Sequence, residues 1–246
     1  MTALLWEGCL NVRDLGGLPT EDGRRTETGA VVRADNIRKL TDAGWQSLAD
    51  HGVRRIVDLR WPEELEHDAP REVDIEVVHI SLLGTFDEDY VARLDAHLAS
   101  VEDVTEHHSY AYSDWLERYR EQFGRVFAAI ADSDGTVVVH CMGGKDRTGV
   151  VCALLLRLAG VGLEEIGADY AITAANLEPS TSKWIPAIED EAERAKWQKL
   201  SATPAEAMIR VVRHVEERYG DVASYLRAAG LADEQVERLR ERLVAP

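Results

Sequence analysis

Between two apolar runs of this chain lies the loop His140-Cys141-Met142-Gly143-Gly144-Lys145-Asp146-Arg147-Thr148-Gly149. The run before it, Thr136-Val137-Val138-Val139, is short, β-branched and preceded by Asp134-Gly135, which predicts a buried strand. The run after it, Val150 to Leu156, predicts a helix with Thr148 and Gly149 in its first turn. A cysteine therefore stands where a strand ends, and the loop behind it delivers the chain to a helix N-terminus.

That placement has chemical content. A helix N-terminus offers unpaired backbone N–H groups and a partial positive charge, and both favour an anion. Gly143 and Gly144 allow the loop to curl so that successive N–H groups converge. Arg147 adds a planar fork suited to phosphate-like oxygens. The same field favours a thiolate, the form of cysteine that attacks electrophiles. One loop can thus hold a dianion and present Cys141 to it.

The string His140-Cys141-x-x-Gly144-Lys145-Asp146-Arg147-Thr148-Gly149 resembles the signature of cysteine-dependent phosphatases, in the form carried by their bacterial tyrosine and lipid phosphatase branch. Asn11-Val12-Arg13-Asp14-Leu15-Gly16-Gly17 is similar to the opening of that family, and Ile56-Val57-Asp58-Leu59-Arg60 is similar to its strand ending in Asp-Leu-Arg. Asp169-Tyr170-Ala171-Ile172-Thr173 and the ending from Tyr219 to Leu243 match less specifically. Gly143 departs from the pattern, standing where many relatives carry alanine. The resemblance implies an α/β fold, no metal or other cofactor, and a phosphocysteine intermediate.

A chain of 246 residues is long enough for a substantial core, and no Pro/Gly linker, repeat or low-complexity run divides it, so residues 1–246 read as one domain. Strands alternating with helices predict a mainly parallel central sheet flanked by helices, with active-site groups at the strands' carboxyl ends. No apolar stretch reaches the length of a membrane span. No basic segment followed by a long apolar one opens the sequence, so no secretory signal is expected, and export by a signal-less route stays open. Cys9, Cys141 and Cys152 are too few for a disulfide framework, and a reactive thiolate needs reducing surroundings, so the cytoplasm is the default location. Cys9 and Cys152 read as buried small apolar residues.

Asp and Glu outnumber Lys and Arg by 45 to 28, a formal charge of −17, which argues against nucleic acid as a partner. Surface charge beyond about 8–10 Å is screened at physiological salt, so the loop can still bind anions. The global field nevertheless favours a phosphopeptide or small phosphoester over a strongly anionic membrane.

Along the chain, Val31 to Arg33 and Arg55 to Leu59 predict strands, and Val73 to Leu82 a strand at a sheet edge. Thr41 predicts the N-cap of a helix, and Pro62 the first turn of another. The polar, acidic stretch from Gly84 to about Ser109 predicts a helix and loops laid over the active-site face, so residues 84–112 read as a helical lid. Tyr110 to Ala131 predicts one long amphipathic helix, with Trp115, Tyr119, Phe123, Val126, Phe127 and Ile130 at helical spacing. Further helices are expected over Leu163 to Thr173, Thr181 to Leu200, Pro204 to Tyr219 and Asp233 to Leu243.

Roles follow from residue type. Cys141 is the candidate nucleophile. Arg147 would clamp two phosphoryl oxygens and stabilise transition-state charge. The backbone of Met142, Gly143, Gly144, Lys145, Arg147 and Thr148 would complete the phosphate cradle. Thr148 could donate to the Cys141 sulfur or cap the helix. The leaving oxygen needs a proton, for which Asp146 is the first candidate, Asp58 the second, and Asp87 or Asp89 on the lid the third. Lys145 adds positive charge; in phosphatases with similar loops it accompanies activity on phosphoinositides, and the alternative is a lysine facing solvent. Arg13 and Asp14 could pair with each other or support the loop. His140 is expected to hydrogen-bond backbone behind the loop, and a charge on it would help Cys141. Arg33 and Arg60 could line the site. His107 and His108 could suggest a metal, but no second ligand cluster accompanies them, and they read as a solvated pair.

The expected function is a phosphomonoester hydrolase of the protein-tyrosine-phosphatase type. Phosphoinositide or dual-specificity activity would use the same chemistry. A rhodanese-type sulfur transferase also places cysteine after a strand but lacks this spacing, and a phospho-binding module would keep the cradle without the turnover.

Overall fold

The computed structural model describes residues 2–66, 68, 71 and 73–244. In chain order, β1 (Thr2–Ala3), β2 (Arg13–Asp14) and β3 (Val31–Ala34) precede a 3-10 turn (Ile37–Lys39), α1 (Asp42–Asp50) and β4 (Val53–Asp58). Then come α2 (Pro62–Leu65), β5 (Glu76–His79), α3 (Glu88–Ser100), α4 (Val104–Arg118), α5 (Arg120–Ala131) and β6 (Thr136–His140). The chain finishes with α6 (Arg147–Leu158), α7 (Leu163–Trp184), α8 (Glu191–Ser201), α9 (Ala205–Tyr219), α10 (Val222–Ala228) and α11 (Asp233–Leu243).

The strands form one sheet in the order β1-β2-β3-β6-β4-β5. The four central and far strands run parallel, while β1 and β2 add an antiparallel edge that the sequence did not announce. Val31, Val57, Val137 and Val139 face one apolar cluster, and Val32, Ala34, Ile56 and Val138 face another. This strict alternation buries both faces, as a parallel sheet requires. The larger cluster holds the inner faces of α4 to α7 and α9 to α11; the smaller holds Trp45 and Leu48 of α1. Helix α6 is apolar all round and almost wholly buried, as a helix enclosed by neighbours must be. In register, Ala34 and Asp58 both flank His140, so three parallel strands end at one level, and Cys141 follows directly.

Thr41 caps α1, accepting from the Gly44 N–H at 3.2 Å, and Pro62 opens α2, as expected. Four helical readings change. The region Tyr110 to Ala131 is not one helix: the chain turns at Tyr119 (φ −113°, ψ 27°), between α4 and α5. The backbone hydrogen bonds run on through the turn, from Tyr119 N to Trp115 O and from Phe123 N to Tyr119 O, so the apolar spacing hid it. Helix α4 also starts earlier, at Val104, inside the polar stretch. Helix α7 continues past Thr173 through Pro179 to Trp184, and the expected helix from Thr181 to Leu200 is broken before α8, in the segment that carries Pro186. Between Val73 and Leu82 only Glu76–His79 forms a strand, at the sheet edge. No helix among the described residues is long and apolar enough to cross a membrane.

Candidate active site

The loop from β6 to α6 is shaped by what holds it from outside. Gly144 sits at φ +61°, and a Cβ there would lie 2.3 Å from the carbonyl oxygen of Ala34, so only glycine fits. Gly143 is ordinary by comparison: a Cβ would meet Leu177 Cδ1 at 3.5 Å, a normal contact, so the departure from alanine costs the loop no necessary group. Three consecutive carbonyls are tied outward. Met142 O accepts from Asn36 N at 3.0 Å. Gly143 O and Gly144 O accept from Asn11 Nδ2 at 3.0 and 3.2 Å, and Gly144 O also from an Arg33 terminal nitrogen at 2.6 Å. In a trans peptide the N–H points opposite to the C=O. The N–H groups of Gly143, Gly144 and Lys145 are thereby turned into the loop, where among the described residues they meet no acceptor. Converging backbone N–H groups of this kind have the geometry of a nest, here held open from behind.

The support is a buried polar network. Arg13 donates from Nε to Asp169 Oδ1 at 2.7 Å, and to Asn11 Oδ1, the Asp169 carbonyl and Thr173 Oγ1. Arg33 pairs with the other Asp169 oxygen. Burial pushes the Asp169 carboxyl up, but the two guanidinium groups outweigh it and hold it below the usual carboxylate range. Burial, then Arg33, lowers Arg13 to about 10. Removing two charges from water costs much of what their pairing returns, so the network's value is positional. Arg13 and Asp14 do not pair. Neighbours on a strand point to opposite faces, and Asp14 instead accepts from Gly16 N, Gly29 N and His51 Nε2, away from the loop.

Inside the loop, Cys141 is buried at the carboxyl end of β6. Thr148 Oγ1 is buried and has no partner among the described residues, and the N-cap position belongs to Asp146, so its hydroxyl is not used as a cap. The Arg147 guanidinium lies 5.0 Å from the Trp61 ring centre and pairs with both oxygens of Glu64, at 2.5 and 2.8 Å. Burial works against the charge on Arg147, but Glu64 outweighs it and holds the guanidinium above its ordinary value. Glu64 is held below the usual carboxylate range because Arg147 outweighs its burial.

Lys145 does not face solvent. Its ammonium donates to the Leu200 carbonyl at the end of α8 and lies 3.3 Å from Asp146 Oδ1. Asp146 also accepts from the Tyr112 hydroxyl. Burial pushes Asp146 up, and Lys145 and Tyr112 pull it net below its ordinary value.

Asp58 and Arg60 form a closed pair. Arg60 is fully buried and donates to Asp58 through its backbone N, Nε and a terminal nitrogen at 2.8 to 3.2 Å. A second carboxylate, Asp68, pairs with the other terminal nitrogen, so Arg60 offers no open fork to the loop. Burial pushes Asp58 up, but His140 and the bonds from Arg60 outweigh it and hold the carboxyl below the usual carboxylate range. His140 does meet backbone, Nδ1 lying 3.2 Å from Cys141 O, with Nε2 3.5 Å from Asp58. Burial drives it down to about 4, so it is neutral at pH 7 and brings no positive field to Cys141. Arg33 supports the loop from behind rather than lining it. Asp87 caps α3 by accepting from Tyr90 N and pairs with Arg118.

His107 and His108 are not a solvated pair. Both are buried, because α4 packs into the helical layer that the polar sequence of 84–109 concealed. His108 stacks on Tyr112 and its Nε2 contacts the Ala202 carbonyl at 3.1 Å. Glu64, Tyr112 and Trp61 had no signal in the sequence. Asn11 and Asp169 lay in the two strings already noted, without an assigned role.

The tyrosine phosphatase family model matches residues 4–245. A tyrosine-protein phosphatase of Nostoc commune is 33% identical over 231 residues, 87% of this chain and 74% of that protein. The triple specificity protein phosphatase PtpB of Mycobacterium tuberculosis is 31% identical over 116 residues, 42% of each chain. With a family match along nearly its whole length and a mainly parallel sheet between helices, the chain belongs to the tyrosine phosphatase family and is an enzyme that hydrolyses phosphomonoesters.

Proposed function

We propose that the chain dephosphorylates phosphotyrosyl protein through a phosphocysteine intermediate at Cys141. The observation that carries this is the set of three inward N–H groups, fixed by Asn11, Arg33 and Asn36, beside the Arg147 fork. The Cys141 thiolate attacks phosphorus as the ester P–O bond breaks, and the leaving oxygen takes the Asp146 proton. A water then attacks phosphorus, giving its proton to the Asp146 carboxylate; the P–S bond breaks, the thiolate returns and inorganic phosphate leaves. The bound dianion raises Asp146 from its low resting position, so the acid is charged with its proton when substrate is present. The Thr148 hydroxyl, without a partner among the described residues, suits the returning sulfur.

Asp146 is preferred to Asp58 because the latter is engaged by Arg60 on both oxygens. Of the expected lid segment 84–112, α4 is packed into the helical layer, and the part ahead of it serves as the lid, with Phe86 edge-on to Trp61, 5.4 Å between centres, next to Arg147. That aromatic corner favours an aryl phosphate. Lys145, already bound to Leu200 and Asp146, gives less support to a phosphoinositide.

The test is turnover of para-nitrophenyl phosphate with EDTA and a reductant, followed by phosphate release from phosphotyrosyl peptide, phosphoseryl peptide and phosphoinositide side by side. Vanadate-sensitive turnover, lost in Cys141→Ser and greatest on phosphotyrosine, supports the reading. Phosphate binding without turnover would leave a binding module, and preference for the lipid would overturn the substrate.

A further inference from the structure

Asp146 is anchored through one oxygen only. Tyr112 donates its hydroxyl to Oδ1, and Lys145 Nζ lies 3.3 Å from that same atom. Among the described residues Oδ2 meets no donor, and the side chain keeps 38% of its surface exposed. A carboxylic acid that protonates a departing oxygen needs this asymmetry: one oxygen fixed, the other free to carry the proton outward.

The anchor is itself rigid. Tyr112 is buried, its ring stacks on His108 with 5.3 Å between centres and 8° between planes, and its hydroxyl lies 2.9 Å from that of Tyr170. Two neighbours thus fix the phenol, and neither is on the loop. Lys145 is a poorer anchor because its ammonium is shared with the Leu200 carbonyl.

We infer that Tyr112 is a positioning residue for phosphoryl transfer: its hydroxyl holds Asp146 Oδ1 so that Oδ2 presents the proton to the leaving oxygen. The inference rests on the reading of Asp146 as the general acid. The groups facing Asp146 are Lys145 and Arg147 from the loop, Tyr112, His107 and His108 from α4, and Tyr170 from α7. Burial holds both histidines down at about 4, so near neutral pH they are uncharged. The Tyr112 bond stabilises the carboxylate, and losing it favours the protonated form.

The experiment compares phenyl phosphate, a poor leaving group, with para-nitrophenyl phosphate, a good one, in Tyr112→Phe and Asp146→Asn. Asp146→Asn should lower kcat on phenyl phosphate about 100-fold, with a much smaller loss on the nitrophenyl ester. Tyr112→Phe should lower kcat on phenyl phosphate about tenfold, leave KM unchanged and spare the nitrophenyl ester. The basic limb of the kcat–pH profile should move up by about one pH unit. Equal losses on both substrates with an unmoved limb would make Tyr112 merely structural and overturn the inference. If Asp146→Asn spares phenyl phosphate, the acid assignment and this inference fall together. If Asp146→Asn behaves as expected and Tyr112→Phe does not, only the inference falls. Should Tyr112→Phe fail to fold, Tyr170→Phe, which loosens the phenol without removing a hydrogen bond to Asp146, must still depress phenyl phosphate selectively for the inference to stand.

Discussion

Glu64 spans the Arg147 guanidinium, one carboxylate oxygen on each terminal nitrogen. The two nitrogens proposed to grip a phosphoryl group are therefore already aligned by an anion from the α2 turn. Such a pair orients the fork, and it also sets a negative charge beside the place where the substrate's charge must go.

Glu64→Gln should separate these two effects. Removing a charge close to the anion site should lower the inhibition constant for inorganic phosphate by about tenfold. Loss of alignment should lower kcat by roughly tenfold as well. Steady-state kinetics with phosphate as competitive inhibitor checks both. Weaker phosphate binding would show that Glu64 acts only as an aligner.

The two loop glycines should behave oppositely. Gly143→Ala is expected to keep activity and stability close to the parent. Gly144→Ala forces a left-handed residue against the Ala34 carbonyl, costing about 2–3 kcal/mol and most of the turnover. Urea unfolding together with turnover on an aryl phosphate distinguishes them.

Asp169→Asn leaves Arg13 and Arg33 buried with their shared counter-charge gone, for about 3–5 kcal/mol of stability. The sign with pH follows from the lowered carboxyl. The unfolded chain takes up the proton first, so the contribution is whole above about pH 4 and is lost as pH falls through the lower folded value. The gap in unfolding free energy between parent and variant, measured from pH 7 to pH 3, should narrow only below about pH 4.

The buried histidines give a second, higher window. Burial holds His107, His108 and His140 at about 4, below the ordinary histidine value near 6.5. Between those limits the unfolded chain binds more protons, so stability should fall as pH is lowered from about 6.5 toward 4. His108→Phe, which keeps a ring against Tyr112, should show a shallower fall in urea titrations across that range.

What the sequence made legible was whatever repeats or clusters locally. The valines of β6, the glycines and the Cys141-to-Arg147 spacing are contiguous, and the alternating faces of β3, β4 and β6 match the core clusters. Helix α11 is periodic and emerges with the expected bounds, Asp233–Leu243. The turn at Tyr119 was hidden because a change of direction need not interrupt hydrogen bonding or apolar spacing. The burial of His107 and His108 was hidden because packing against α9 is a property of the fold, not of the polar local composition. Glu64 and Tyr112 reach the site from α2 and α4, and a carboxylate or phenol in those contexts carries no mark of what it will face.

The outward grip on the loop joins Asn11 to Gly143 across 132 positions and Arg13 to Asp169 across 156. A chain emerging from the ribosome thus cannot complete this receptor until the stretch bearing Asp169 has been made and docked against the first strands. Closing such long loops is slow and entropically costly, so catalytic competence should arrive late in folding, together with the closure of the sheet's first strands on α7.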